Sequence, residues 1–303
     1  MEKEKIELVK KLFKLREYAN FDFLLEKNNF EDNEIIDYYK KTKHLIYRFQ
    51  GSKEGFMHIG ISYDGKYKKG NRYEFNQAKN IDKYIKETNA KNILELGSGQ
   101  GSNLLFLSKL NKDRNFMGLD LYPSIDKKQK NVELKQANYH DLSFLEDNSV
   151  DLIYAIETLC YSTDKETIFK EVKRVLKKDG LFIIYDGYLG KPRNKLSEIE
   201  FLGANLVENG FCLTEFEYIG NIDNYIKKFN FNIIEKTNMK ENVLPHMINA
   251  RKRIDTFMKF GFLFKIALKL IPKKVMANMI PVYFMEYTIN TGLSKYYLHI
   301  LKK

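Results

Sequence analysis

The residues best placed to do chemistry are Glu95-Leu96-Gly97-Ser98-Gly99-Gln100-Gly101, an acid followed by three glycines at alternate positions. Glycine is required there if the turn is tight and a ligand approaches the backbone with no Cβ in the way. Asp120 follows 25 residues after Glu95. A carboxylate at the end of the next strand can accept both hydroxyls of a ribose. A dinucleotide fingerprint would place its third glycine where this chain has Ser102. The acid at Glu95 is a poor neighbour for a pyrophosphate and a good one for a cation, so the pattern points to a nucleoside that carries an amino acid.

Other reactive side chains are sparse. His58 lies in a glycine-rich loop able to cover such a site, which makes it a candidate substrate contact or base. His140 is expected to cap or to face solvent, and His44, His246 and His299 show no H-x-x-x-H or H-E-x-x-H spacing. No metal site is therefore expected. Cys160 and Cys212 are too few for a disulfide framework or a four-cysteine zinc site and are read as reduced thiols.

The elements that must position these residues are readable from Phe75 onward. A helix over Asn76–Glu87 leads to a strand at Asn92–Leu96 that ends at the glycines. A helix at Asn103–Leu110, strands at Phe116–Asp120, Val132–Gln136 and Val150–Ile156, a helix at Lys165–Lys177 closed by Asp179-Gly180, and a strand at Leu181–Tyr185 follow. Short apolar strands alternating with helices predict a doubly wound α/β sheet. Before it, residues 1–74 read as a helical and loop extension, with Gly51 to Gly70 irregular. After Asp186 come a Lys/Arg loop over Gly187–Lys195, a mixed segment, a helix at Tyr218–Phe229 and a strand at Phe231–Glu235. Helical spacing over Val243–Gly292 then precedes a last strand at Tyr296–Leu301. The domains expected are 1–74, a core over 75–240, and a helical lid with the last strand over 241–303.

With 303 residues, 44% hydrophobic and 14% aromatic, the chain has enough apolar material for a core, and extended disorder is excluded. The apolar stretches near Phe260–Leu270 and Val275–Met285 are broken by Lys265, Lys269, Lys273 and Lys274, and the N-terminus has no uninterrupted apolar run. Neither a transmembrane span nor a secretory signal is expected, and a cytoplasmic location follows. Phe257–Met285 is amphipathic and reads as a lid over the sheet, with contact at a membrane surface as the rival. The net charge of +11 is spread along the chain, which favours a solvated basic surface over a dedicated anion site.

The stretch from Gln77 to Asp186 resembles the class I S-adenosylmethionine-dependent methyltransferases. Glu146-Asp147-Asn148-Ser149-Val150-Asp151 is similar to the family's P-D-N-S-F-D, and Arg174-Val175-Leu176-Lys177-Lys178-Asp179-Gly180 to its R-V-L-K-P-G-G. Tyr154-Ala155-Ile156-Glu157-Thr158-Leu159-Cys160-Tyr161 looks like the Y-A-I-E-A-T-C-H of the sterol C-methyltransferase branch, with Tyr161 in place of His. The resemblance implies a Rossmann-like sheet with a helical insertion before its last strand, and S-adenosylmethionine as cofactor. It implies cofactor contacts at Glu95, Gly97, Ser98, Gly99, Gly101, Asp120, Leu121, Tyr139 and Ile156. Asn138 falls where the family's acid or amide holds the adenine amino group, and Asn for Asp is a departure. Tyr38-Tyr39 and His58-Ile59-Gly60 resemble N-terminal segments that close the site in the sterol and tocopherol enzymes, so Tyr39 and Gln77 are included.

Methyl transfer from a sulfonium is an in-line displacement that needs positioning and no metal. Glu157 and Tyr161, just past the fourth strand, are the catalytic candidates with His58. The competing reading is that Glu157 only binds a backbone amide and Tyr161 only packs. The function expected is methyl transfer to a small or lipophilic acceptor, extending to isoprenoid or sterol-like molecules and to transfer at carbon, with N-methylation of a small amine as the nearest rival. An RNA methyltransferase is less favoured because Ile156-Glu157-Thr158-Leu159 is unlike the [DN]-P-P-[FYW] of the amino-methylating kind. A non-catalytic cofactor-binding scaffold is the last alternative.

Overall fold

The computed structural model describes residues 2–26, 29–50, 55–123 and 129–303, so 51–54 of the expected loop lie outside the described residues. Two helices open the chain, Glu2–Arg16 (α1) and Asp32–Gln50 (α2), and a strap over 55–72 leads to Asn76–Glu87 (α3). The core continues as Asn92–Leu96 (β1), Ser102–Leu110 (α4), Asn115–Asp120 (β2), Val132–Gln136 (β3), Val150–Ile156 (β4), Lys165–Val175 (α5) and Leu176–Leu189 (β5). Then come Glu198–Gly210 (α6), Ile219–Lys228 (α7), Asn232–Asn238 (β6), Lys240–Met258 (α8), Phe262–Leu270 (α9), Lys273–Thr291 (α10) and Ser294–Lys302 (β7).

The strands form one seven-stranded sheet in the order β3-β2-β1-β4-β5-β7-β6, parallel except for β7, which runs against both its neighbours. Both faces are covered, which is why the central strands carry apolar residues toward both sides. Ile93, Leu152, Tyr154 and Ile183 pack with α3, α4, α8 and α10, whereas Leu94, Ile153, Ala155 and Ile184 pack with α5 and α7. A third cluster joins α1, α8, α9 and α10 through Leu15, Ile254, Phe264 and Phe284. The winding reverses between β1 and β4, and ligands of open α/β sheets bind at that reversal, beyond the carboxyl ends of the strands.

The acid and arginine motifs prove to be clamps on this frame. Asp151 accepts from the N–H groups of Lys91 (3.1 Å) and Asn92 (2.8 Å), fixing the start of β1 against β4. Arg174 donates to the carbonyls of Leu142 (2.8 Å) and Leu145 (2.9 Å) and ties the loop before β4 to α5.

Three boundaries differ from expectation. α5 stops at Val175 because Leu176 is already extended (φ −62°, ψ 137°) and pairs with Val150. β5 runs on to Leu189, absorbing the start of the expected Lys/Arg loop, because β7 pairs with it along its whole second half. α6 was hidden in the mixed segment because it shows no polar face. Gly203 to Gly210 are all buried, including Asn205, Glu208 and Asn209. Those amides are satisfied by backbone, with Asn205 and Asn209 donating to the carbonyls of Leu25 and Leu24 (both 2.8 Å).

Gly97 and Gly99 both have left-handed backbone, at φ +66° and +54°, but they differ in surroundings. A Cβ on Gly97 would meet Thr158 Oγ1 at 1.8 Å, while one on Gly99 would meet nothing within 4 Å. Gly97→Ala is expected to destabilise the protein by about 3 kcal/mol or more, and Gly99→Ala by only the ~1–2 kcal/mol of the left-handed backbone. Urea unfolding midpoints of the two variants check this, and equal midpoints would contradict it.

Candidate active site

A cavity of about 480 Å³ opens at the β1/β4 reversal. Its first part is built by the turn after β1 and the end of β2. Asp120 spends one oxygen on the Gly99 N–H and the other on the Tyr122 N–H, both at 2.8 Å, so the glycine turn and β2 are held by one carboxylate. Each oxygen keeps a lone pair for a ligand hydroxyl. Glu95 is buried, accepts from Asn103 Nδ2 at 3.1 Å through Oε1, and has no partner at Oε2. Burial pushes its carboxyl up to about 8. A cationic ligand would supply the opposite charge that burial withholds. The open space at Gly99, the orphaned Glu95 oxygen and the half-used Asp120 together fit an aminoacyl nucleoside.

Glu157 stands across from them at the end of β4. Its backbone is left-handed (φ +49°) and its N–H bonds the Tyr185 carbonyl at 2.8 Å. The carboxylate takes the Ile59 N–H and the Tyr296 hydroxyl on the same oxygen, Oε1, each at 2.8 Å. Oε1 is thus engaged within the protein, and Glu157 lines the cavity. Desolvation raises this carboxyl too, to about 8, with nearby Asp186 adding in the same direction. Glu157 thus binds a backbone amide, as the competing reading expects, and lines the cavity.

The far part of the cavity is apolar, walled by Ile35 of α2, Ile271, and Val275, Met279 and Val282 of α10. His58 is 8% exposed, with Nδ1 3.3 Å from the Ile59 carbonyl and Nε2 without a partner. His246 also faces the cavity with an unpartnered Nδ1, and burial lowers it to about 4. Tyr161 donates to the Phe211 carbonyl at 3.1 Å and its ring lies 5.7 Å from that of Tyr39. Its hydroxyl is held by backbone, which suits a wall rather than a base.

Of the residues singled out in the sequence, Glu95, Gly97, Ser98, Gly99, Asp120, Leu121, Asn138, Tyr139, Ile156, Tyr39, His58, Glu157 and Tyr161 all line this cavity. Gly101 and Gln77 do not. Gly101 caps α4 in left-handed conformation, and buried Gln77 donates to the Ile59 carbonyl from behind the strap. Asn138 is at the cavity, but its amide oxygen already serves the His140 N–H (3.0 Å) and Nδ1 (2.6 Å). His140 is in turn fixed by Ser162 at 2.7 Å and itself lines the cavity, whereas the cap of α5 is Asp164. Missed were Asn103, Asp186, His246, Asn249 and Arg253. Asp186 accepts the Cys160 N–H at 3.0 Å and anchors the loop that follows Glu157. The side chain of His44 lies outside the described residues. Among the described residues no group of three or more His, Cys, Asp or Glu could hold a metal ion.

Residues 94–184 match the family model of the methyltransferase domain. A sterol methyltransferase-like protein 3 of Botryococcus braunii is 36% identical over 78 residues, covering 25% of this chain and 19% of that protein. A tRNA (guanine-N(7)-)-methyltransferase of Geobacillus thermodenitrificans is 30% identical over 135 residues, 40% of this chain and 61% of that protein. The chain spans less than two thirds of either relative. Among solved structures, the cyclopropane synthase MmaA2 of Mycobacterium tuberculosis superposes with a TM-score of 0.68 at 13% identity, covering 91% of this chain and all (100%) of that one. Residues 94–184 thus match a methyltransferase domain, and the chain around them shares its fold with the superposed structure.

Both raised carboxyls make the ligand-free protein pH-sensitive. Glu95 and Glu157 hold protons in the folded chain that the unfolded chain, with values near 4.5, has lost. Their contribution is most favourable below 4.5, and stability declines as pH climbs toward about 8. Glu157→Gln keeps an acceptor for Ile59 and Tyr296 but cannot ionise. Thermal unfolding between about pH 5 and pH 8 is expected to show a falling Tm for the native chain and a shallower fall for this variant. Parallel curves would remove Glu157 from the account.

Proposed function

We propose that the chain transfers the methyl group of S-adenosylmethionine to a small-molecule acceptor with a large apolar part, at carbon. The observation that carries this reading is that one uninterrupted cavity runs from Glu95 and Asp120 to the wall of Ile271, Val275, Met279 and Val282. The sterol-type relative and the sterol-like Tyr154–Tyr161 segment support it. When bound, S-adenosylmethionine supplies a methyl group on a positively charged sulfur, open to in-line displacement.

The protein's part is positional and electrostatic. Asp120 would hold the ribose hydroxyls and Glu95 the amino-acid end, with the open space at Gly99 letting the backbone come close. Tyr39, Leu121, Tyr139 and Ile156 complete the wall of this slot, and the strap at His58 and Ile59 closes over it, excluding water. Glu157 lines the cavity, where it can steady a cation that develops on an alkene or receive the proton that leaves. Its raised value suits a proton acceptor working near neutral pH. His58 and His246, which both line the cavity, offer neutral polar edges to a hydroxyl or similar group on the acceptor.

Calorimetry is expected to show S-adenosylmethionine or S-adenosylhomocysteine binding near −8 kcal/mol, about micromolar. Asp120→Ala should weaken it by about 2 kcal/mol or more, since ribose hydroxyls lose an ionised acceptor and the Gly99 N–H loses its tether. Absence of binding by the native chain at millimolar ligand would end the cofactor reading.

An acceptor screen with methyl-labelled S-adenosylmethionine over prenyl lipids, sterols, quinones and amines tests the rest. Glu157→Gln should bind cofactor normally and turn over about 10²-fold more slowly, ~2.7 kcal/mol in the barrier. An N-methylated amine as product, with normal turnover by Glu157→Gln, would replace carbon methylation by the amine reading.

A further inference from the structure

The end of α8, all of α9 and the start of α10 leave an apolar surface uncovered. Phe257, Phe260, Phe262, Leu263, Ile266 and Leu270 are 40–79% exposed within fourteen residues of chain. Single exposed apolar residues are ordinary, whereas a contiguous set of this size marks an interaction face. α9 is apolar on both sides: Phe264 and Leu268 are buried against Ile254 and Ile280, and the opposite residues have nothing over them. Its inner side accounts for its place in the fold and its outer side does not.

Charge narrows the choice of partner. Between Thr256 and Met285 there are five lysines and no Asp or Glu. Lys274 is paired with Asp37 at 2.5 Å, but Lys259, Lys265, Lys269 and Lys273 make no ion pair among the described residues. Lys265 and Lys273 lie instead over the rings of Tyr18 and Phe23. Apolar side chains surrounded by unpaired ammonium groups match the boundary between acyl chains and anionic headgroups, with lysine stems reaching outward to phosphate. A second copy of this chain is a poorer match, since a twofold contact would set these lysines against their own copies. No helix among the described residues is long and apolar enough to cross a membrane, so the contact is one of surface. The face also leads directly into the cavity, because Ile271 and Val275, just beyond α9, form part of its wall.

We propose that this face docks on an anionic lipid bilayer and that an acceptor dissolved in the bilayer enters the cavity beside α9. The second half of this inference rests on the lipophilic-acceptor reading; the docking itself does not.

Co-sedimentation of the full chain with phosphatidylcholine vesicles, with and without phosphatidylglycerol, tests it. Binding is expected to the anionic vesicles, weakening as salt is raised. Phe262→Ser with Leu263→Ser should reduce partitioning about 10²-fold. Lys265→Gln with Lys269→Gln should reduce it about tenfold or more, on anionic vesicles alone. Calorimetry with S-adenosylhomocysteine is run on all three proteins, so a lost cofactor site is read separately from lost docking. Native chain that binds the nucleoside yet stays in the supernatant with anionic vesicles overturns the proposal, as does equal partitioning of the Phe262/Leu263 variant. A dimer in analytical ultracentrifugation that the Phe262/Leu263 variant dissociates would assign the face to a second copy and overturn it as well.

Discussion

One carboxylate oxygen joins the three parts of the chain that enclose the cavity. Glu157 Oε1 receives the Ile59 N–H from the strap and the Tyr296 hydroxyl from β7, while its own backbone closes on Tyr185 of β5. From the other side Gln77 donates to the Ile59 carbonyl, so a single residue of the strap is gripped by both its backbone polar groups. An irregular segment lying over a sheet must find partners for its backbone somewhere. Here they come from residues at the mouth of the site, which makes strap placement and site geometry one problem. The left-handed backbone at Glu157 is the strain accepted for this arrangement, since a β-region backbone would carry the carboxylate along the sheet rather than across to the strap.

The two turns at the reversal are likewise interdependent. Thr158 occupies the space where a Cβ on residue 97 would be, so the turn after β4 packs into the glycine turn after β1. Asp186 then holds the Cys160 N–H and keeps the β4 turn from lifting away. Glu95, Glu157 and Asp186 are three acids in one poorly solvated region, and burial raises all of them, Asp186 to about 6. The region is short of positive charge. A ligand that brings a cation would relieve all three, and this is a physical reason for a sulfonium-bearing amino acid to suit the cavity better than a pyrophosphate.

What the sequence made legible was local. The strands up to β4 could be bounded because apolar runs of five to seven residues end at glycine, asparagine or acid, and the glycine turn and Asp120 are defined by spacing alone. What stayed hidden depends on distant partners. Gln77 reads as any helix residue until the strap is seen behind it. Asn138 matches an adenine contact by position, yet its oxygen is engaged by His140, a bond that spacing does not announce. α6 was unreadable because its polar residues point inward to the backbone of residues 24 to 26, the reverse of the amphipathic rule. His246 was set aside for lack of metal spacing, although its position could have been weighed against other residues on the same helix.

His246, Asn249 and Arg253 follow one another at intervals of three and four along α8, which places them on one face, and all three line the cavity. His58 approaches from the strap, and proximity between the two imidazoles helps keep His246 neutral. A wholly hydrocarbon acceptor would not answer the polar lining at His58, His246, Asn249 and Arg253. A purely polar acceptor would waste the wall of Ile271, Val275, Met279 and Val282. The proposed acceptor is therefore one with a long apolar body and one polar group, that group toward α8 and the body along α10. Such a molecule partitions into membranes, and the uncovered face of α9 stands where its apolar end would enter.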